Sequence, residues 1–436
     1  MDDQKNASET IGVQIYKLIE NLYPICRSIT GDGVRKTLSI IEKIIPVTIH
    51  EVPTGTKAFD WEVPKEWNIR DAYIKNKAGK RVVDFNELNL HVLNYSMPVN
   101  KRLKLNELKK HIYTLPDRPE WIPYRTSYYQ ENWGFCMSHN QFKALPEEEY
   151  EVFIDSSLEP GHLSYGEYFI QGESDEEILI STHICHPSLC NDNLSGISIA
   201  TYLADILSSK PNKYSYRFLF IPGTIGSIVW LSQNEQLVHR IKHGLVITLL
   251  GDESDFSYKK SRRGNAEIDR VVEHYFNSNN IPLNTIDFYP YGYDERQFCS
   301  PGFNLPVGCF TRNPHGEFPE YHTSADNLDF VKTEKLEKSL DRLQDIIFIL
   351  EKNVSYMNTN PKCEPQLGKR GLYDKIGGSN ESKSLQLAVL WVLNQSDGQN
   401  SLLDIAEKAQ LDFRLVYQAA LALMDGKLLT EVKSTT

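Results

Sequence analysis

The sequence predicts an α/β protein: a mostly parallel sheet with helices on both faces, an inserted β-rich domain and a C-terminal winged helix-turn-helix. Three observations predict it. Apolar runs of strand length alternate with segments of helical period from about residue 161 to 357. A Pro-, Trp-, Tyr- and Asn-rich stretch with short β-prone runs interrupts that rhythm over residues 47–160. Three short helical patterns and a final apolar run close the chain over residues 371–436. The expected domains are therefore 1–46 with 161–357, 47–160, and 371–436.

Ala7 to Tyr23 carries Ile11, Val13, Ile15, Leu18, Ile19 and Leu22, an amphipathic helix that Pro24 ends. Arg27 to Gly33 reads as a loop and Val34 to Ile45 as a second helix. The Arg27-Ser28 loop is either functional or, the simpler reading, a turn between helices. The inserted stretch contains runs such as Arg81-Val-Val-Asp84 and Leu88 to Tyr95, then Trp121, Tyr124, Tyr128, Tyr129 and Trp133. Those aromatics suit a packed core, or a wall over a site.

Ile178 to Ile180 is a short apolar run of the kind a buried parallel strand shows. It runs into a polar loop with Thr182, His183, His186, Asp192 and Asn193, and then into a helical pattern from Ile197 to Leu207. Strand, polar loop, helix is where open α/β sheets bind ligands, because the loop lies outside the carboxyl end of the strand. Further strands are expected at Tyr216–Ile221, Gly244–Leu250 and Asn304–Thr311. Helices are expected from Ile228 to about Ile241, from Ala266 to Asn277 and from Thr333 to Asn353.

Asn358 to about Ser382 reads as a linker. The tail then gives helices at Leu385–Asn394, Ser401–Ala409 and Asp412–Met424, and a strand at Leu428–Val432. From Gly371 onward there are six Lys and Arg against eight Asp and Glu, and the helix that would read DNA holds one basic residue, Arg414. That footprint disfavours DNA and favours a protein partner or self-association through this domain.

The formal net charge of -11 also argues against broad nucleic-acid binding. No apolar run approaches a membrane span, and the start Met1-Asp-Asp-Gln-Lys5 lacks a signal-peptide pattern. Seven cysteines without framework spacing read as reduced thiols. A cytoplasmic enzyme is the expectation.

Chemistry gathers at three strand ends: His183, His186 and Asp192; Asp252 and Glu253; His322. Imidazole and carboxylate are zinc's usual protein ligands together with thiolate. Cys185 and Cys190 flank His186, but two thiolates beside Asp192 suit a closed Cys/His site poorly.

Asn191 to Gly196, with Tyr321 to Asp329 far downstream, resembles the zinc aminopeptidases related to bacterial leucyl aminopeptidase. More closely, the whole chain resembles bacterial aminopeptidase-like proteins linked with polysaccharide biosynthesis. Cys26 to Arg35, Cys185 to Ser188, Tyr293 to Phe298 and Glu320 to Ser324 carry that likeness. The resemblance implies one or two zinc ions. His183 and Asp252 would serve one, His322 the other, and Asp192 would bridge them; His186 competes with His183. It also implies a peptide or amino-acyl small-molecule substrate, cut at a free amino end by a zinc-activated water.

The chain departs from the family at one place. The superfamily has two adjacent glutamates after the strand matching Tyr216–Ile221, one the general base and one a ligand; here stands Pro222-Gly-Thr-Ile-Gly226. Glu253, Glu295 and Glu317 are the candidate replacements, with Glu253 and Glu295 preferred as catalytic residues. Asp294 and Arg296 are expected at the substrate, Arg296 clamping a carboxylate or holding its neighbours, unless this triplet is a solvated loop. Two alternatives stay open: a catalytically silent binding protein on a peptidase scaffold, or a hydrolase of sugar or polysaccharide modification.

Overall fold

The computed structural model describes residues 9–372 and 380–432. The outer parts of the expected 1–46 and 371–436 domains, the first residues of the helix expected from Ala7 and part of the expected linker lie outside the described residues. The chain divides into two compact units, Met1–Gly264 with Ile286–Leu340, and Asn265–Thr285 with Asp341–Thr436.

The first unit is organised by a mixed sheet. Its strands are β1 (Thr48–Pro53), β2 (His162–Ile170), β3 (Glu177–His183), β4 (Ser215–Ile221), β5 (Ile241–Ile247), β6 (Phe256–Lys259) and β7 (Val307–Thr311). They lie in the order β1-β2-β4-β3-β5-β7-β6. The pairs β3/β4, β3/β5 and β5/β7 are parallel. The pairs β1/β2, β2/β4 and β6/β7 are antiparallel. The parallel expectation thus holds at the centre, and antiparallel strands flank it.

Every residue of β3 and β4 is buried, which is why both read as apolar runs without alternation. The charges inside them are matched: buried Glu177 accepts from Arg217 Nε at 2.7 Å, and Arg217 also pairs with Glu167. The successive strands β4 and β5 lie on opposite sides of β3. The carboxyl end of β3 is therefore a switch point of the sheet, where such folds open a crevice.

Helix Gly196–Ser208 leaves the loop after β3. A Cβ on Gly196 would stand 2.7 Å from the Ile247 carbonyl oxygen, so only glycine lets the helix start this close to β5. The helix after β4 spans Ile225–Gln233, shorter than the expected Ile228–Ile241. Asn234 turns its side chain back to the Trp230 carbonyl at 2.8 Å, and β5 begins at Ile241.

Within the expected insertion, β1 joins the main sheet, and the separate antiparallel sheet begins at Glu66. Its strands lie in the order Arg81–Asp84, Glu66–Lys75, Glu149–Glu159, Val99–Lys104. They cover a core of their own that includes Ile74, Val83, Phe135, Tyr150 and Val152.

In the second unit, helices Asn380–Gln395, Leu402–Ala409 and Phe413–Asp425 accompany an antiparallel sheet. Its strands run Asp397–Ser401, Ser355–Asn358, Leu429–Glu431. Ser401 and Asp404 form a capping box, and Asp412 caps the third helix. Arg414 pairs with Asp345 and lies over the Phe348 ring at 4.1 Å. The one basic residue of that helix is thus already engaged inside the unit.

Among the described residues, no helix is long and apolar enough to cross a membrane.

Candidate metal centre

His183 is the last residue of β3, and the loop after it turns Asp192 back beneath three imidazoles. His183 Nε2 lies 2.8 Å from Asp192 Oδ1, and His186 Nδ1 lies 3.3 Å from the same oxygen. His322 Nε2 lies 3.0 Å from Asp192 Oδ2. Asp192 is wholly buried. His183, His186 and Asp192 each offer a ligand atom, all within 4.8 Å of one another.

This donor set fits a divalent ion. Ligands 2.0–2.1 Å from a tetrahedral zinc stand about 3.3 Å apart, close to the separations seen here. His322 Nε2 and Asp192 Oδ2 are buried, yet neither makes an aligned hydrogen bond among the described residues. Two orphaned atoms 3.0 Å apart point to a shared third partner. Burial pushes His183 down to about 4 and lowers His322, both against the upward pull of Asp192. Burial raises Asp192, but the His186, His183 and His322 imidazoles outweigh it and hold the carboxyl well below its usual range. Neutral imidazole and ionised carboxylate are the states a metal needs.

The loop is fixed from outside. Asp326 accepts from the Asn191 and Asp192 backbone N–H groups at 2.6 and 2.9 Å. Asn193 donates to the His183 carbonyl at 2.9 Å and to Thr182 Oγ1 at 2.7 Å. Arg27, fully buried, donates through Nε to the His186 carbonyl at 2.9 Å and through Nη1 to the Leu22 carbonyl at 2.8 Å. The Arg27-Ser28 loop does connect two helices, but its arginine is a support of the centre.

Aromatic rings complete the walls. Tyr293 stacks on His183 with centroids 4.8 Å apart, and Tyr321 stacks on His322 at 3.9 Å. Tyr124 stands edge-on to His186 and His322 at 5.2 and 5.0 Å, and its N–H donates to the His322 carbonyl at 2.7 Å. The inserted stretch thus supplies a wall here, whereas Trp133 stacks on His111 within its own region. In the sequence the Arg27 loop and the Tyr124 aromatics are each open to a functional reading beside a structural one, and Asp326 has no role of its own. Arg27 and Asp326 lie inside the motifs that carried the resemblance, which was the available signal.

The other expected residues have separate places. Asp252 is buried, and both its oxygens accept hydrogen bonds: Oδ2 from Asn191 Nδ2 at 2.7 Å, Oδ1 from the Ser254 N–H at 2.7 Å and Asn313 Nδ2 at 3.0 Å. Through Asn191 it is joined to the loop that carries Asp192. Glu253 and Glu317 are exposed. Glu295 is buried and paired with Lys259. Arg296 is half-buried. Asp294 is wholly buried, with Oδ1 2.8 Å from Ser227 Oγ.

The mixed α/β sheet that carries this histidine and aspartate cluster at its switch point is shared, as a fold, with zinc aminopeptidases. The chain belongs to the family described as domain of unknown function DUF4910, whose model matches residues 16–353. A winged helix-turn-helix model matches residues 354–431. A Clostridium acetobutylicum protein named for polysaccharide biosynthesis and an aminopeptidase-like domain is 55% identical over 425 residues, 98% of each chain. A crystal structure from Clostridium acetobutylicum, named for a peptidase, is 54% identical with TM-score 0.93, covering 97% of this chain and 96% of that one. A zinc aminopeptidase from Bacillus subtilis shares the fold at 13% identity and TM-score 0.56, over 78% of this chain and 95% of its own.

Proposed function

We propose that this protein is a metal-dependent amide hydrolase of the aminopeptidase type, working with one divalent ion, zinc by the nature of its donors. The observation that carries this reading is Asp192, a single buried carboxylate faced by His183, His186 and His322. His183, His186 and Asp192 would hold the ion, with His322 on the other oxygen of Asp192, and a catalytic ion keeps one position for water. Asp252 reaches the loop through Asn191, and His186 Nδ1, 3.3 Å from Asp192 Oδ1, supplies the third donor. A divalent ion supplies Lewis acidity, acidifying a water and polarising a carbonyl oxygen.

The chain's own residues do the rest. Asp326 and Asn193 hold the loop that presents Asp192 and His183. Arg27 fixes the backbone of His186. Tyr124, Tyr293 and Tyr321 shield the imidazoles and limit water around them. The substrate is a peptide or amino-acyl small molecule with a free amino end. A second reading, an amide carried by a sugar, draws on the polysaccharide name of the 55% identical relative.

The test is an assay of zinc-loaded protein on aminoacyl amides, their N-acetylated counterparts and N-acylated amino sugars. Cleavage of the free-amine set only, abolished by a chelator and restored by zinc, is the expected result. Cleavage of the sugars alone moves the assignment to the second reading. Zinc binding without cleavage of any of them leaves a binding protein on a peptidase scaffold.

A further inference from the structure

The turn after β4 lacks the carboxylates that the resemblance leads one to expect, yet the space beside it is not empty of acid. A Cβ added at Gly223 would stand 3.1 Å from His183 Cβ, and 3.4 and 3.7 Å from the two carboxylate oxygens of Asp294. A side chain from this turn and the Asp294 carboxylate would compete for one place, next to the first candidate ligand. The neighbouring Tyr293 ring stacks on His183, so the same loop lines the centre.

Ser227, the residue after Gly226, prepares the carboxyl for a proton. Its Oγ lies 2.8 Å from Asp294 Oδ1 and 2.7 Å from the Thr224 carbonyl oxygen. A hydroxyl has one hydrogen, so it can donate to only one of them at a time. When Asp294 is protonated it can donate to Ser227, which then donates to Thr224. When Asp294 is ionised, the hydroxyl swings to it. Both states are therefore provided for. Asp294 Oδ2 is buried and has no hydrogen-bond partner among the described residues.

The charged groups felt by Asp294 are Glu295, Arg296 and His186; the thiols of Cys185 and Cys309 are also close enough to interact with it. Burial raises its carboxyl to about 7, with the Ser227 bond opposing and Glu295 adding to the shift. Glu295 itself is occupied: it pairs with Lys259, and a Cβ on Gly292 would meet Glu295 Oε1 at 2.5 Å and Lys259 Nζ at 2.6 Å.

We propose that Asp294 is the proton-transfer residue of this centre, standing where the missing turn carboxylate would reach. This rests on the metal-dependent hydrolase reading. As the water oxygen bonds to the amide carbon, one water proton passes to the Asp294 carboxylate. The same proton goes to the amide nitrogen as the C–N bond breaks, leaving a carboxylic acid and an amine.

The test uses acetohydroxamic acid as the probe, on zinc-loaded wild type and on Asp294→Asn. Asp294→Asn is expected to keep the wild-type zinc content. Its affinity for the hydroxamate is expected to fall about 10- to 100-fold, the loss of one hydrogen bond to a charged group. In a crystal structure of the wild-type complex, the hydroxamate hydroxyl should lie within about 3.2 Å of an Asp294 oxygen. That structure needs no variant, so misfolding of Asp294→Asn leaves the test intact. Loss of zinc in Asp294→Asn would make the residue a ligand and overturn the proposal. So would a bound hydroxamate with Asp294 out of reach; either leaves the metal reading standing. A wild type that binds no zinc overturns both.

Discussion

Asp192 and Asp252 are both buried aspartates beyond the carboxyl ends of neighbouring strands, and Asn191 touches the one in sequence and the other in space. Their surroundings differ in kind. Asp192 looks at imidazole nitrogens, which can share a carboxylate with a cation. Asp252 looks at the amide N–H groups of Asn191, Ser254 and Asn313, which can only donate. Burial alone does not separate the two aspartates; what differs is that one faces imidazoles and the other amide donors.

The largest effect should come from exchanging these two carboxylates separately. Asp192→Asn should fail to retain zinc through desalting, read by elemental analysis. Asp252→Asn should retain it and lose about 1–3 kcal/mol of stability, because an NH₂ group would then face N–H donors. A calorimetric scan would read that as a lower Tm. Equal zinc contents in the two variants would erase the contrast.

The next effect is on turnover. With zinc content unchanged, Asp294→Asn should lower kcat on a cleaved aminoacyl substrate by about 10²–10⁴-fold, with KM little altered. A loss confined to KM would recast Asp294 as a binding group.

Arg27→Met comes third. It leaves the His186 carbonyl without its arginine donor, at a cost of about 1–3 kcal/mol for the group left unpaired, while the Leu22 carbonyl keeps the Ile25 N–H. The urea midpoint should fall with the slope unchanged. Zinc affinity should weaken about 10- to 100-fold, as when other outer supports of metal ligands are lost.

The last effect, felt only below about pH 6.5, concerns an imidazole away from the centre. His243 in β5 is buried like His183, but neither ring nitrogen has a hydrogen-bond partner among the described residues. Burial pushes it down to about 3, against an ordinary value near 6.5. The unfolded chain therefore takes up this proton first as pH falls. The stability contribution is intact above about 6.5 and is lost below it at up to ~1.4 kcal/mol per pH unit, until the folded value is reached. His243→Phe should flatten that part of the pH–stability curve.

Much of the centre was legible because it is local. A fully buried strand reads as an apolar run, and His183, His186 and Asp192 fall within one loop behind it. His322 was a candidate from its loop after the strand ending at Thr311, and the family resemblance tied it to Asp192, since nothing in spacing does. What sequence could not supply was the direction of side chains. Asp294, Glu295 and Arg296 are adjacent, yet one is buried beside Gly223, one pairs with Lys259 and one is half-buried. Glu253 follows Asp252 but is exposed. Arg27 sits in a turn between helices and reaches a carbonyl 159 positions away. The pairing of β1 with β2 was hidden for the same reason: β1 lies inside the stretch whose composition marks the insertion, and only its partner reveals its sheet.

The most direct measurement is the zinc stoichiometry of the full chain, incubated with zinc, desalted and analysed beside Asp192→Asn and His322→Ala. One zinc per wild-type chain is expected, none in Asp192→Asn and a much reduced content in His322→Ala. Two zincs per chain, or a wild type that holds none, would contradict the single-ion centre.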